Sequence, residues 1–137
     1  MISQFANLNW IGIIAAFVPY FLLGALWFTL IFSKPYKISL GKENEELPQK
    51  PIFIIGPALC CLVITLASAI LIYTLNISSY EAVIEFSLIA GIGFLVANTV
   101  NIAINPNIPQ PILYGIISGS YHLVGILMVG IILVAMK

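Results

Sequence analysis

His122 is the one histidine of the chain and the side chain best suited to carry a proton or bind a ligand. Tyr121 directly precedes it, and Ser118 lies one helical turn earlier. An ionisable group inside an apolar segment such as this one usually faces the interior of a helix bundle and marks a functional site. A neutral imidazole that bonds a neighbouring helix can also serve packing alone. Ser118, Tyr121 and His122 are therefore candidates for a ligand or proton pathway, and helix packing is the alternative.

A series of asparagines precedes this segment. Asn98, Asn101 and Asn105 share one face of a regular α-helix with Gly91, because residues three, four and seven positions apart are neighbours on such a helix. The short segment that separates them from the helix of His122 predicts two antiparallel helices, so Asn98 and His122 should lie at a similar depth. We therefore expect a hydrogen bond between Asn98 and His122, direct or through water, with Asn101 on the same pathway.

Other catalytic chemistry is poorly supported by the sequence. The chain contains no aspartate, and no carboxylate is placed to orient Ser118 and His122 as a nucleophile and its base. Cys60 and Cys61 are adjacent in an apolar segment, without the spacing of a metal motif. We expect no enzyme, no cofactor and no metal site, and we interpret the cysteines as small packing residues.

Glycines recur on the helix of His122. Gly115, Gly119 and Gly125 lie near the histidine at helical spacing, and Gly115 with Gly119 forms a GxxxG pair that allows close approach of another helix. Gly91 would play the same part on the preceding helix. We expect these glycines to pack helices within one chain, with a dimer contact as the alternative.

The composition explains why all these side chains need a membrane around them. Hydrophobic residues make up 61% of the 137 residues and charged residues only 7%, whereas an ordinary soluble domain carries about 25% charged residues. Three long stretches, 1–33, 51–80 and 86–136, contain no charged side chain. Roughly 20 apolar residues suffice to cross a bilayer as a helix. The net charge is zero and arginine is absent, which argues against nucleic acid as a partner.

The sequence predicts an all-α integral membrane bundle of four transmembrane helices in a single domain, residues 1–137. The predicted helices cover about 9–32, 52–75, 82–104 and 112–135. A polar loop covers 33–51, and we expect it to be either a solvated loop or a short surface helix. Trp10 and Trp27 lie about 25 Å apart along the first helix and are expected to anchor it at the two membrane interfaces.

Lysines predict the orientation of this bundle. With four spans, both termini lie on one side of the membrane and the loop 33–51 on the other. That loop holds four lysines, whereas Lys137 alone lies on the side of the termini. Because short cytoplasmic loops collect lysine and arginine, we expect the loop in the cytoplasm and both termini outside a cell membrane.

Two segments carry a resemblance to a known family. The first is Gly24-Ala25-Leu26-Trp27-Phe28 with the residues that follow to Lys34, and the second is Gly119-Ser120-Tyr121-His122-Leu123-Val124 with Gly130 beyond it. Both segments, and the order and spacing of the four helices, are similar to the domain-of-unknown-function family 1761, a family of small bacterial four-helix membrane proteins. The resemblance implies the same topology and singles out Trp27, Tyr121 and His122, and it implies no reaction.

Three functions remain open from the sequence. We expect a small multi-pass membrane protein that acts as an oligomeric transporter or channel for a small solute or protons, with Asn98, Asn101 and His122 along its pathway. The alternative is a structural or accessory subunit of a membrane complex, and an intramembrane enzyme is a distant third. The lipid bilayer and a second copy of the chain are the expected partners.

Overall fold

The computed structural model describes residues 2–137, with side chains from residue 4 onward. Four helices are long and apolar enough to cross a membrane, and we name them the first span (Trp10–Ile31), the second span (Ile52–Thr74), the third span (Tyr80–Ala103) and the fourth span (Pro111–Ala135). The described part is otherwise a short 3-10 helix, Ile2–Asn7, a short α-helix, Ser33–Ser39, and loops. This is an all-α membrane bundle, and each span begins and ends within two residues of its predicted bounds.

Two of the spans contain π-helical segments. The first span is α-helical over Trp10–Leu26 and π-helical over Trp27–Ile31. The third span is interrupted in the middle, where Gly91–Val96 is π-helical between two α-helical segments. A π segment holds one residue more per turn than an α-helix, so the faces of the helix beyond it are rotated by about 100°. Positions on either side of the interruption therefore do not share the face that regular helical spacing predicts.

The fourth span is the central helix of the bundle. In an apolar 18-residue stretch of the fourth span, 50% of the residues are buried inside the protein. The corresponding fraction is 22% in each of the first two spans and 17% in the third. It contacts all three other spans. Its buried positions include five small residues, which leave space for the neighbouring helices: Gly115, Ser118, Gly119, Gly125 and Gly130.

One end of the bundle is closed by contacts of the two chain termini. Asn9 caps the first span by accepting a hydrogen bond from the Gly12 amide, and its Nδ2 donates to the Met136 carbonyl at 2.7 Å. Lys137 Nζ donates to the Ile77 carbonyl, which lies just after the second span, at 3.0 Å. The beginning of the first span, the end of the fourth and the loop between the second and third therefore lie together, as an up-and-down bundle requires.

The opposite end carries the polar segment 33–51, which is not a loop throughout. Ser33–Ser39 forms a short helix, and the side chain of Ser39 is buried. The Ser39 carbonyl accepts a hydrogen bond from the Gln110 amide at 3.2 Å, just before the fourth span. The short surface helix that the sequence allowed in this segment is therefore present at its beginning, and it packs against the fourth span.

Candidate functional site

Four polar side chains meet where the first, second and fourth spans pack together, and we call them the tyrosine–histidine cluster: Tyr20, Cys61, Tyr121 and His122. The hydroxyl of Tyr20 and Nδ1 of His122 lie 2.8 Å apart and share a hydrogen bond. The Cys61 Sγ and the hydroxyl of Tyr121 lie 3.1 Å apart and form a second one. The two tyrosine rings are neighbours, with 5.4 Å between their centroids. The cluster therefore joins three spans through two hydrogen bonds and a contact between tyrosine rings.

Two glycines create the space that the tyrosine rings fill. A methyl group at Gly125 would overlap the ring of Tyr20, and one at Gly24 would lie 2.8 Å from the hydroxyl of Tyr121. Each tyrosine precedes the glycine of its own helix by four residues, so a Tyr-x-x-x-Gly pair on the first span meets a Tyr-x-x-x-Gly pair on the antiparallel fourth span. Each ring lies against the glycine of the other helix, and both tyrosines are buried.

Trp27 joins the same two helices one turn further along. Its indole Nε1 donates to the Ile117 carbonyl of the fourth span at 3.0 Å. The indole N–H is therefore used inside the bundle and is not free to bond headgroups, while the anchoring of the first span by Trp27 stays a prediction. Trp10, at the start of the first span, is 50% exposed.

The predicted contact between Asn98 and His122 is not made. His122 bonds Tyr20 of the first span, while Asn98 and Asn101 are both exposed on the third span. The π segment explains the error: Gly91 and Val96 both face the fourth span, and they are five positions apart, where regular spacing predicts three or four. The extra residue rotates both amides to the outer surface.

The predicted packing glycines of the fourth span face two different neighbours. Methyl groups at Gly115 and Gly119 would each lie 3.1 Å from a valine methyl of the third span, at Val100 and Val96. Gly125 faces Tyr20 of the first span instead. The single glycine face expected from the sequence is therefore two faces, because a central helix must pack on both sides.

Ser118, one turn before His122, is 4% exposed, and within residues 2–137 its hydroxyl has no hydrogen-bond partner. The cluster contains no carboxylate to orient a serine–histidine pair. Among the described residues, no group of three His, Cys, Asp or Glu side chains is close enough to hold a metal ion. The arrangement can share a proton between Tyr20 and His122, since a phenol and an imidazole each donate and accept.

A cavity near these residues lies outside the cluster. An open groove of about 340 Å³ runs between the third and fourth spans, with almost wholly apolar walls that include Ile92, Val100 and Ile116. Ser120 also lines this groove, but its hydroxyl bonds the Ile116 carbonyl of its own helix. The walls of the groove are apolar side chains, and His122 does not line it.

Sequence reasoning missed Tyr20 and undervalued Cys61 and Gly24. Tyr20 follows Pro19 in an aromatic-rich stretch, where a tyrosine reads as an ordinary apolar residue. The signal was present as the paired spacing of Tyr20 with Gly24 and of Tyr121 with Gly125. Nothing in the sequence marks Cys61 as the partner of Tyr121 rather than its neighbour Cys60, which is exposed.

Residues 11–134 of the chain match the family described as "Protein of unknown function (DUF1761)". The chain belongs to this family. No curated protein and no solved structure matches it. In this family member, the two segments that carried the resemblance lie against each other: Gly24 contacts Tyr121, and Trp27 donates to the Ile117 carbonyl just before the second segment.

Proposed function

We propose that this protein is a structural or accessory membrane subunit, which presents a rigid four-helix bundle to a partner in the bilayer and has no catalytic or transport activity of its own. The filled interior carries this proposal. Tyr20 is fully buried and Tyr121 is 5% exposed. Each ring fills the space beside a glycine of the other helix, so the two rings block the interior between the first and fourth spans.

The hydrogen bonds of the cluster support the same role. Groups that bind or conduct a solute need free donors or acceptors along a cavity, but the Nδ1 of His122 is engaged by Tyr20 and the hydroxyl of Tyr121 by Cys61. Polar side chains that bond across helices hold membrane bundles together. His122 therefore stabilises the contact between the first and fourth spans through its hydrogen bond with Tyr20.

A second candidate is an oligomeric transporter or channel whose pathway runs between copies of the chain. The exposure of Asn98 and Asn101 on the third span favours it, because amides could line a polar path once several copies surround it. His122 would not line this path, because its side chain points toward the first span, whereas Asn98 lies on the outer surface of the third.

Flux measurements distinguish the two candidates. Wild type, His122→Gln and Asn98→Leu are each placed in liposomes that report proton entry and small-solute leakage, between about pH 5 and 8, where histidine titrates. The accessory role predicts fluxes equal to those of protein-free liposomes for all three. A wild-type flux that Asn98→Leu abolishes would replace this proposal with a pathway between copies, and a flux abolished by His122→Gln would replace it with a pathway through the cluster.

We also propose that both termini lie outside the cell and that residues 33–51 are cytoplasmic. Lys34, Lys37, Lys42 and Lys50 support this orientation, with Lys137 alone at the other end. After Cys60 and Cys61 are replaced, single cysteines at positions 42 and 137 are treated with a membrane-impermeant thiol reagent on intact cells. Position 137 should react and position 42 should not, and the reverse result would invert the topology.

A further inference from the structure

Two primary amides lie on the outer surface of a membrane span. Asn98 and Asn101 are exposed and share the outward face of the third span with Phe94, which is 72% exposed. Within residues 2–137, neither amide side chain forms a hydrogen bond. Asn98 lies five residues before the end of the span at Ala103, or about 7 Å inside it at 1.5 Å per residue. Hydrocarbon cannot bond an amide, so a polar partner at this depth would stabilise the face, above all at Asn98, which lies deeper than Asn101.

The π segment places the amides there. Gly91, Val96 and Val100 face the fourth span, and the five-residue step from Gly91 to Val96 rotates the rest of the third span. In an uninterrupted helix, Asn98 would share the face of Gly91 and lie inside the bundle. π segments occur frequently at functional sites, and the effect of this one is to present Asn98 and Asn101 to the membrane.

The surface beside the amides allows close approach of another helix. Gly93 is exposed, and a methyl group placed on it would meet no atom within 4 Å. Ala97, one turn further, is also exposed. Small residues at this spacing let two helix backbones come close enough for side-chain amides to bond across the contact. The face carries no charged side chain, so two identical faces would not repel each other.

We propose that two copies of this chain associate through this outward face, defined by Gly93, Ala97, Asn98 and Asn101, with the amides bonding across a two-fold axis. A primary amide is both donor and acceptor, so it is complementary to a second copy of itself. This inference rests on the proposed role as a partner-binding subunit, names a second copy as the partner, and makes no use of flux.

The test measures self-association directly. Copies that carry donor or acceptor fluorescent proteins at the C-terminus are reconstituted in phosphatidylcholine vesicles, and energy transfer is followed as lipid dilutes the protein. Wild type should associate, and Asn98→Leu with Asn101→Leu should weaken association on the order of tenfold or more, as expected for the loss of interhelical amide bonds. Ile54→Leu, an exposed apolar change on the second span and away from the proposed face, should leave it unaltered.

Gly93→Leu tests the close approach without removing an amide. It should weaken association without destabilising the single chain, because a side chain at this glycine meets no atom within one chain and leucine favours a helix over glycine. Gly56→Leu is its control, since Gly56 of the second span is equally unobstructed, and it should neither weaken association nor destabilise the chain. A monomeric wild type at every dilution, or association unaffected by the double asparagine change, would overturn the proposal. A monomeric chain without flux would overturn this interface but not the accessory role. An associating chain that shows flux would overturn the accessory role but not this interface.

Discussion

The fourth span packs against its two main neighbours by different means. Against the first span it uses aromatic rings set into glycines and hydrogen bonds between side chains, at Tyr20 with Gly125 and at Tyr20 with His122. Against the third span it uses glycines under valines, such as Gly119 under Val96, with little polar contact. The two segments that carry the family resemblance lie along the contact between the first and fourth spans. The part of the sequence that resembles the family therefore also forms the hydrogen bonds and aromatic contacts.

This difference separates two ways to hold membrane helices. Lipid tails are as apolar as valine or leucine, so burial of apolar surface does not drive helices together in a bilayer, and close packing and hydrogen bonds do. The contact with the third span depends mainly on shape, with one long hydrogen bond from Ser87, and valines can shift. The contact with the first span depends on a ring that is enclosed and hydrogen-bonded, so it should tolerate change less well.

The largest expected effect is at Gly125. Gly125→Leu forces the buried Tyr20 ring out of its notch, because even a methyl group at this position would overlap it. We expect a loss of about 3 kcal/mol or more, at or beyond the upper end of ordinary overpacking, measured as thermal unfolding in detergent. Gly56→Leu, at an unobstructed glycine, is the control. Equal stability of these two variants would show that the first contact does not depend on the notch.

A smaller loss is expected at the third-span contact. Gly119→Leu would press on Val96, whose nearest methyl lies 3.1 Å from the added Cβ. We expect about 1 to 3 kcal/mol from overpacking, offset in part because leucine favours a helix over glycine by up to about 1 kcal/mol. A greater loss here than in Gly125→Leu would reverse the comparison.

The four spans could be predicted because their cause is local. Charge-free apolar stretches must become helices in a membrane, and the turn residues and prolines between them end those helices, as at Asn76 and at Pro106. The central position of the fourth span was less accessible, although its buried glycines indicated close packing. Which neighbour each glycine faces depends on the rotation of helices, and that is a property of the assembled bundle.

The candidate site was predicted only in part for the same reason. His122 and Tyr121 were identified by their types, but the partner of His122 was not. The prediction of Asn98 assumed a regular helix, and the π segment Gly91–Val96 removes that regularity. No residue type encodes a π segment as proline encodes a kink. The faces on either side of it could therefore not be aligned from spacing.

The hydrogen bond between Tyr20 and His122 is expected to contribute less than either packing change. A cycle of Tyr20→Phe, His122→Leu and the double variant isolates the pair, because the two losses should not add. We expect a coupling of about 0.5 to 1.5 kcal/mol, with bundle proteins in membranes nearer the lower value. Additive losses would mean that the two residues stabilise the protein by packing alone.

The smallest effect is expected where the third-span contact has a polar link. Ser87 Oγ donates to the Ile126 carbonyl at 3.3 Å, which is longer than the usual O–H···O hydrogen bond. That carbonyl belongs to an α-helix and keeps its backbone partner, so Ser87→Ala leaves no unsatisfied donor and should cost less than about 0.5 kcal/mol. Trp27→Phe removes the matching link to the first span, at 3.0 Å, together with part of a half-buried ring, and should cost at least twice as much. Thermal unfolding of both variants in one detergent compares them directly. An equal loss of stability in Ser87→Ala and Trp27→Phe would contradict the comparison. It would mean that the contact with the third span depends on hydrogen bonding as much as the contact with the first does, and that close packing at the glycines is not its main basis.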